Sequence, residues 1–137
     1  MRVRGYAPGM ITGVFQFAVV VREYEEAIAF YRDVLGFTLL EDTDVGGGKR
    51  WVRVGSKGGA VILLAKGVNE QQASRIGNQT GGRVFIFLET DDCRGDYARM
   101  RAAGVQFRGE PREEPYGTVV VFQDLYGNLF DLIQRRG

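Results

Sequence analysis

The first half of the chain alternates between extended apolar runs and one stretch with helical periodicity. Residues 14–21 are almost continuously apolar or aromatic, which predicts a buried strand. Apolar residues then recur at helical spacing, at Tyr24, Ala27, Ile28, Tyr31 and Leu35. Gly36 is a typical helix end, and glycines at 46–48 and 58–59 separate the segments that follow. Three further strands are expected, at 37–40, 50–54 and 60–65.

The second half repeats this order of elements. A strand over 83–90 is followed by Asp92, a typical helix N-cap, and by a helix that ends at Gly104. Three more strands are expected, at 105–108, 118–122 and 129–133. Between the halves, residues 67–81 form a polar connector in which Asn69 is suited to cap a short helix.

The repeated βαβββ order predicts an α+β fold. A unit of about 55 residues is too long for a solenoid repeat, and two copies of it are too few. We therefore expect one domain, residues 1–137, with pseudo-symmetric modules at about 11–66 and 82–135. The modules would form a curved, barrel-like mixed sheet around a central cavity. Each module has a sheet face that it cannot cover alone, so the modules must pair within the chain or across a homodimer.

Charge and cysteine content exclude several classes of partner. Eighteen basic and seventeen acidic residues give a net charge of +1, and the arginines are scattered. This is no electrostatic footprint for nucleic acid or an anionic membrane. No apolar stretch approaches the ~20 residues that a membrane span needs. A single cysteine, Cys93, rules out an internal disulfide and is typical of a cytoplasmic protein.

The chain contains no histidine, which narrows the possible chemistry. The most common metal ligand and the usual general base at neutral pH are both missing. A two-histidine, one-carboxylate iron site is excluded, as is any Ser-His or Cys-His nucleophile pair. Cys93 at a helix start is therefore interpreted as a small core residue. Only Asp, Glu, Lys and Tyr remain for proton transfer.

Three sequence motifs resemble those of a known family. Residues 29–37, AFYRDVLGF, follow a strand and resemble the "FYxxvLGF" signature of the vicinal oxygen chelate superfamily. This superfamily includes glyoxalase I, extradiol dioxygenases, and the fosfomycin and bleomycin resistance proteins. The helix that begins after Asp92 and the segment 124–128, DLYGN, are similar to the motifs of its second module. The resemblance covers about residues 11–135.

In metal-using members of this superfamily, four inward side chains hold a divalent ion. The resemblance places the corresponding positions at Gln16, at Ile62 or Leu63, at Phe85 and at Asp131. Two of the four positions carry side chains that cannot coordinate a metal. We therefore expect no metal cofactor, because a transition-metal site normally needs three protein ligands. A weak Mg²⁺ or Mn²⁺ site at Gln16 and Asp131 is the alternative, since these ions keep several waters.

Asp131 is the only acid in the last apolar run, and it is the main candidate for chemistry. An ionised carboxylate inside a strand needs water, a partner or a metal. Asp131 could act as a base or anchor a cationic group of a ligand. The alternative is a structural ion pair with Arg53 or Arg83.

The other candidate ligand-binding residues are expected to line the cavity. Gln16 should face it if Phe15 and Phe17 pack on the helices, although it could instead bond to a neighbouring strand. Trp51 could equally belong to the core or to a dimer interface, and Glu89 could lie in solvent at a strand end. The remaining candidates are Arg53, Phe85, Phe87 and Tyr116.

Two charged or glycine-rich segments are interpreted as structural. Residues 46–49, GGGK, lack the spacing of a phosphate-binding loop and a following helix, so a hairpin turn is expected. The charge run at 108–114 is interpreted as a solvated edge.

These observations favour a metal-free protein that binds an amphipathic small molecule, of the bleomycin-resistance type. The alternative is a glyoxalase-like lyase or isomerase that uses a weakly held metal or Asp131 as a base. A third hypothesis is a module that acts by association alone, with its cavity filled by Phe85, Phe87 and Leu63.

Overall fold

The computed structural model describes residues 9–56 and 58–137, and its elements follow the predicted order. The first module contains β1 (Gln16–Val21), α1 (Tyr24–Ile28) with a π-helical continuation (Ala29–Val34), β2 (Thr38–Gly46), β3 (Lys49–Gly55) and β4 (Val61–Lys66). The connector carries α2 (Glu70–Ala73). The second module contains β5 (Val84–Glu89), α3 (Cys93–Ala102), β6 (Arg112–Glu114), β7 (Gly117–Gln123) and β8 (Leu129–Arg135).

Each module forms one open four-stranded mixed sheet. The strand orders are β1-β4-β3-β2 in the first sheet and β5-β8-β7-β6 in the second. In both sheets the first and last strands of the module pair in parallel, and the other pairs are antiparallel. The predicted α+β fold of two pseudo-symmetric βαβββ modules is therefore confirmed.

The predicted helix and turn ends agree with the structure at several positions. Asp92 accepts a hydrogen bond from Gly95 N at 3.0 Å, and Asn69 accepts one from Gln72 N at 2.9 Å. Both predicted caps are confirmed. Gly36 follows the first helix with a φ of +88°, and the glycines at 46–48 lie in the predicted β2–β3 hairpin.

The positions predicted for two of the strands were wrong. The first strand begins at Gln16 and not at Val14, whose side chain is largely exposed. The strand expected at 105–108 is reduced to one bridge between Phe107 and Phe122. Phe107 instead packs edge-on against Tyr97 of α3, with ring centroids 4.7 Å apart. It therefore fills the space beneath the helix.

The second strand of the second module lies instead in the charge run at 108–114, which was expected to be a solvated edge. Residues 112–114 form β6, which pairs only with β7 at the edge of the second sheet. Its side chains are mostly exposed, so an edge strand of this kind carries no apolar alternation. Periodicity alone could not have found it.

One hydrophobic core joins the two modules on the helix side of both sheets. Tyr31, from the π-helical segment of the first module, packs against Phe130 of β8 with ring centroids 6.1 Å apart. Phe17 of β1 packs edge-on against Phe85 of β5 at 6.0 Å. Buried residues from both modules form a single cluster. The helices α1 and α3 pack on this side, so each sheet has a second face, called here its open face. The short helix α2 reaches only the first of these faces, beside Val20.

The turn at 124–128 fastens the second module to the first. Asp124 is 3% exposed and accepts a hydrogen bond from the Tyr31 hydroxyl at 2.8 Å. Its carboxylate also accepts from Tyr126 N, Gly127 N, Asn128 N and Asn128 Nδ2. The predicted turn is confirmed, and its acid holds both the turn and the helix of the other module.

The connector adds a second attachment through Gln79. Its side chain accepts a hydrogen bond from Val20 N at 3.2 Å and donates one to Ala18 O at 3.1 Å. Its backbone N donates to Asn128 Oδ1 at 3.1 Å. Gln79 thus satisfies backbone groups on the unpaired edge of β1 and links them to the turn of the second module.

Candidate ligand-binding surfaces

The open face of the first sheet carries Gln16 and Arg53 side by side. Gln16 Oε1 accepts a hydrogen bond from Arg53 Nε at 2.7 Å, and Arg53 also pairs with Glu41 at 3.3 Å. Leu63 is the register partner of Arg53, while Ile62 is 3% exposed in the shared core. Leu63 is therefore the residue at the predicted fourth-strand position that shares this face. Gln16 of β1 therefore bonds to a side chain of β3, across the intervening strand β4.

Trp51 borders an apolar hollow on the same face. The hollow measures about 440 Å³, and its lining includes Leu63, Ala65 and Val68 together with Lys49 and Lys66. The indole is 37% exposed. Trp51 is therefore no core residue of the isolated chain, which leaves ligand contact or a dimer interface among the predicted roles.

The open face of the second sheet carries Asp131 between two apolar side chains. Asp131 is the register partner of Phe87 on β5 and of Val121 on β7. Its Oδ1 is buried and has no hydrogen-bond partner within the described part of the chain. Burial raises the pKa of the Asp131 carboxyl, and the charge of Arg112 partly opposes this shift. The phenyl ring of Phe87 is 65% exposed beside it.

The expected alternative partners of Asp131 are engaged elsewhere or lie apart from it. Arg53 bonds to Gln16 and Glu41 on the other sheet. Arg83 borders a small polar hollow beside the 127–129 segment, and no ion pair joins it to Asp131 in residues 9–56 and 58–137. Neither Arg53 nor Arg83 therefore forms the salt bridge with Asp131 that was considered as its structural explanation.

The three remaining predicted residues have different environments. Phe85 lies at a β-bulge and packs edge-on against Phe17 and Phe130, so its ring joins the shared core. Glu89 forms an exposed ion pair with Arg135, as expected of a residue at a strand end. Tyr116 precedes β7 and is 52% exposed.

The structure thus places five of the predicted site residues in two groups on separate sheets. The first-sheet group contains Gln16, Trp51 and Arg53. The second-sheet group contains Phe87 and Asp131. Among the described residues, no hydrogen bond or ion pair joins the two groups. A single chain does not assemble the predicted site.

The four positions that hold a metal in the resembling family do not suit one here. The Gln16 oxygen is occupied by the guanidinium of Arg53, a cation that would repel a metal ion. Leu63 and Phe85 offer no donor atom. Across residues 9–56 and 58–137, no three His, Cys, Asp or Glu side chains lie close enough to share a metal. Asp131 alone supplies a free oxygen, which is too few ligands for chelation.

A cleft of larger volume than the hollow beside Trp51 lies between the modules on the helix side. It measures about 630 Å³ and is lined from both modules, with Phe17, Phe37, Ile62, Phe85, Met100 and Phe122 among its apolar residues. Phe87 and Glu89 also reach its lining, whereas Gln16, Trp51, Arg53, Tyr116 and Asp131 lie outside it. The contribution of α3 was missed, because helical spacing predicted only that Met100 would be buried.

These features define a class of protein: a duplicated βαβββ chain with a shared helix-side core and two open sheet faces. The chain belongs to the Glyoxalase/Bleomycin resistance protein/Dioxygenase superfamily, whose family model matches residues 13–132. Within the described part of the chain, no helix has the length and apolar character needed to cross a membrane.

Similar proteins support this assignment. An uncharacterised protein of Shewanella frigidimarina (strain NCIMB 400) is 50% identical over 128 residues, which cover 91% of this chain and 95% of the relative. The crystal structure of UcmS2 is 32% identical, with a TM-score of 0.78 over 90% of this chain and 98% of that one. TnmS3, an antibiotic binding protein from Streptomyces sp. CB03234, is 32% identical, with a TM-score of 0.74 over 92% and 98%.

Proposed function

We propose that this protein binds an amphipathic small molecule without a metal, in the manner of the bleomycin-resistance type. The observation that carries the proposal is the unpartnered, buried Oδ1 of Asp131 on an open face beside the exposed ring of Phe87. A buried carboxylate oxygen without a partner costs free energy unless a bound group completes its hydrogen bonding. The similarity to an antibiotic binding protein, TnmS3, supports the same proposal.

The proposed ligand has an aromatic body and a cationic or hydrogen-bond-donating group. Phe87, Tyr116 and Trp51 offer exposed aromatic surface, with 65%, 52% and 37% of each residue accessible. Asp131 is the anchor for the donor group of the ligand. A cationic group beside Asp131 would offset the burial that raises the pKa of this carboxyl. Binding should therefore strengthen as the pH rises through the pKa of Asp131.

A homodimer would complete this site. The helices α1 and α3 and the shared core occupy one side of both sheets, so most of each open face has no second layer from its own chain. Each sheet needs a second apolar layer, and a second copy of the chain can supply it. In the proposed dimer, the face with Gln16, Trp51 and Arg53 meets the face of the other copy that carries Phe87 and Asp131.

The ligand titration separates this proposal from non-specific binding. Bleomycin, an amphipathic cationic antibiotic, is titrated calorimetrically into the protein in buffer that contains EDTA. We expect saturable binding to the wild type and at least about tenfold weaker binding to Asp131→Asn, since a charged hydrogen bond is lost. Asp91→Asn is the matched control, because it removes the same charge from an exposed position, and should bind like the wild type.

Two results would count against the proposal. One is unchanged affinity in Asp131→Asn. The other is a monomer in sedimentation experiments at every concentration at which the ligand binds.

Trp51→Glu and Phe87→Glu place a charge on each open face in turn, and each should shift the protein towards the monomer.

A second candidate function is proton abstraction by Asp131 in a glyoxalase-like lyase or isomerase. The raised pKa of this carboxyl favours it, because a general base is most effective when its pKa approaches the working pH. Exchange of solvent deuterium into a bound α-hydroxycarbonyl compound tests it. Exchange that Asp131→Asn abolishes would favour the enzyme over the binding protein.

A further inference from the structure

We infer that the cleft between the modules is a separate binding site for an uncharged, planar aromatic molecule. The site is built within one chain, on the helix side of the sheets. The site proposed above lies on the open faces and needs two chains. Of the residues named for that site, only Phe87 also reaches the cleft lining, so the inference does not depend on the proposed function.

The size and lining of the cleft suit a molecule of two to three rings. Its volume of about 630 Å³ lies inside the range of roughly 300–1,000 Å³ that small-molecule sites occupy. Phe17, Phe37 and Phe85, each partly exposed, contribute aromatic surface to its walls, whereas Phe122 borders the cleft but is fully buried. Aromatic side chains favour aromatic ligands through edge-to-face and offset contacts. Met100 of α3 also borders the cleft but is almost fully buried.

The charged groups that line the rim in the described part of the chain have partners inside the protein. Asp96 accepts a hydrogen bond from Thr90 Oγ1 at 2.5 Å and lies 3.7 Å from Arg99 NH2. Arg99 also donates to Val34 O at 2.6 Å, which joins α3 to the end of the first helix. Glu89 pairs with Arg135. An ionised ligand would find no unpaired counter-charge among these groups, so its desolvation would oppose binding.

Among the described residues, the rim offers the ligand a neutral hydrogen-bonding group. Ser56 lies at the rim in the segment between β3 and β4, next to Gly59 and Ala60. Its hydroxyl can donate to or accept from a phenol, ketone or amine on a ring. The cleft thus differs from the open face of the second sheet, where Asp131 has a carboxylate oxygen without a partner. The cleft favours an uncharged ligand, whereas the open face favours a ligand with a cationic or hydrogen-bond-donating group.

A bound ligand would also brace the two modules. The cleft is lined by β1 and β4 of the first module and by β5 and α3 of the second. A molecule that contacts both sides binds only when the modules keep this arrangement. Binding should therefore raise the midpoint of thermal unfolding with increasing ligand concentration.

The test uses two dyes that share one ring system. N-phenyl-1-naphthylamine is uncharged, and 8-anilino-1-naphthalenesulfonate carries an added sulfonate. Fluorescence titration should show saturable binding of the uncharged dye at one molecule per chain, and at least about tenfold weaker binding of the sulfonated dye. Equal affinity for the two dyes, or no saturable binding of the uncharged one, would overturn the inference.

Two cleft variants locate the bound dye. Met100→Trp fills the cleft from α3, where Met100 is 2% exposed, and Ala60→Phe fills it from the exposed rim without disturbing the core. Both should weaken binding of the uncharged dye by at least about tenfold, because each removes volume that the ligand needs. Ala60→Phe keeps the test valid if Met100→Trp fails to fold.

Asp131→Asn separates this site from the open faces. It should leave binding of the uncharged dye unchanged, since Asp131 lies outside the cleft lining. Binding that is unchanged in a folded Ala60→Phe protein but lost in Asp131→Asn would place the dye on the open faces and refute the inference. The bleomycin titration is read separately, so failure of one site is distinguishable from failure of the other.

Discussion

Two aspartates seven residues apart have opposite environments. Asp124, in the turn before β8, is 3% exposed and accepts five hydrogen bonds, from the turn and from Tyr31 of the other module. Asp131, within β8, has a buried oxygen without a hydrogen-bond partner in the described part of the chain. The protein thus supplies hydrogen-bond donors to the carboxylate of Asp124 but supplies none to Oδ1 of Asp131 in the described part of the chain.

This difference separates a structural carboxylate from a candidate functional one. Burial alone would select Asp124, the more deeply buried of the two. The distinguishing property is whether the protein itself supplies the donors, because an unpaired buried oxygen is costly and persists only if another group completes it. Each variant described below changes Asp124, its surroundings or Asp131.

The largest effect is expected from Asp124→Ala. The substitution leaves the donors of the turn and the Tyr31 hydroxyl buried without an acceptor, and should lower the free energy of unfolding by about 3–5 kcal/mol. Urea denaturation measures the change. Asp124→Asn keeps one acceptor oxygen and should cost less. A loss below about 1 kcal/mol for Asp124→Ala would contradict the structural role of this acid.

Gly77→Ala should come second, since it disturbs the same turn from the connector. Gly77 has a φ of +75°, and an added Cβ would lie 1.9 Å from Tyr126 O. We expect a loss of about 2–4 kcal/mol from strain and displacement of the turn. Gly81→Ala is the matched control, with a φ of +68° and nothing within 4 Å of the added atom. It should cost only about 1 kcal/mol, and equal losses would show that close contact with the turn is unimportant.

Tyr31→Phe should have a smaller effect, because it removes only one of the five donors. Burial raises the pKa of Tyr31 well above its ordinary value, so the hydroxyl remains a donor to Asp124. Its loss should lower the free energy of unfolding by about 1–2 kcal/mol. Tyr97→Phe is the control, since its hydroxyl makes one long, exposed contact with Arg101. If both substitutions cost the same, the Tyr31–Asp124 bond does not contribute specifically.

The smallest effect, and the only gain, is expected from Asp131→Asn. Burial raises the folded-state pKa of Asp131, so its protonated form favours folding. The stabilising contribution of that proton is fully present below the unfolded-state pKa of about 3.9 and is lost as the pH rises through the folded-state value. At neutral pH, Asp131→Asn should therefore be more stable than the wild type, by less than about 1 kcal/mol given solvent screening.

Denaturation across a range of pH tests the sign. The advantage of Asp131→Asn should shrink towards zero as the pH falls below about 4, where the wild-type carboxyl is protonated in both states. A variant that is less stable than the wild type at neutral pH would show that Asp131 has a favourable partner in the folded protein.

The fold could be predicted from sequence wherever an apolar pattern or a specific turn residue marked it. The helical spacing after Tyr24, the Asp92 cap and the turn after Asp124 located the two modules. Strand β6 escaped prediction, because Arg112 and its neighbours lie at an exposed edge where periodicity carries no information.

The site was predicted only in part, because it depends on contacts between distant residues. Alternation along β1 predicted that Gln16 faces a cavity, but it could not predict the bond of Gln16 to Arg53, which spans 37 positions in the sequence. The same alternation assigned Phe85 to the cavity, whereas a bulge directs its ring into the core. The five donors to Asp124 come from two modules, so sequence spacing could not distinguish this acid from Asp131.

The central claim is that Asp131 serves a ligand and not a chelated metal. Calorimetric titration of Ni²⁺ into protein freed of metal tests it most directly, with Asp131→Ala for comparison. We predict no saturable heat for either protein, because Gln16 is bonded to Arg53 and the Leu63 and Phe85 positions supply no donor atoms. Near-stoichiometric Ni²⁺ binding to the wild type that Asp131→Ala abolishes would contradict the claim.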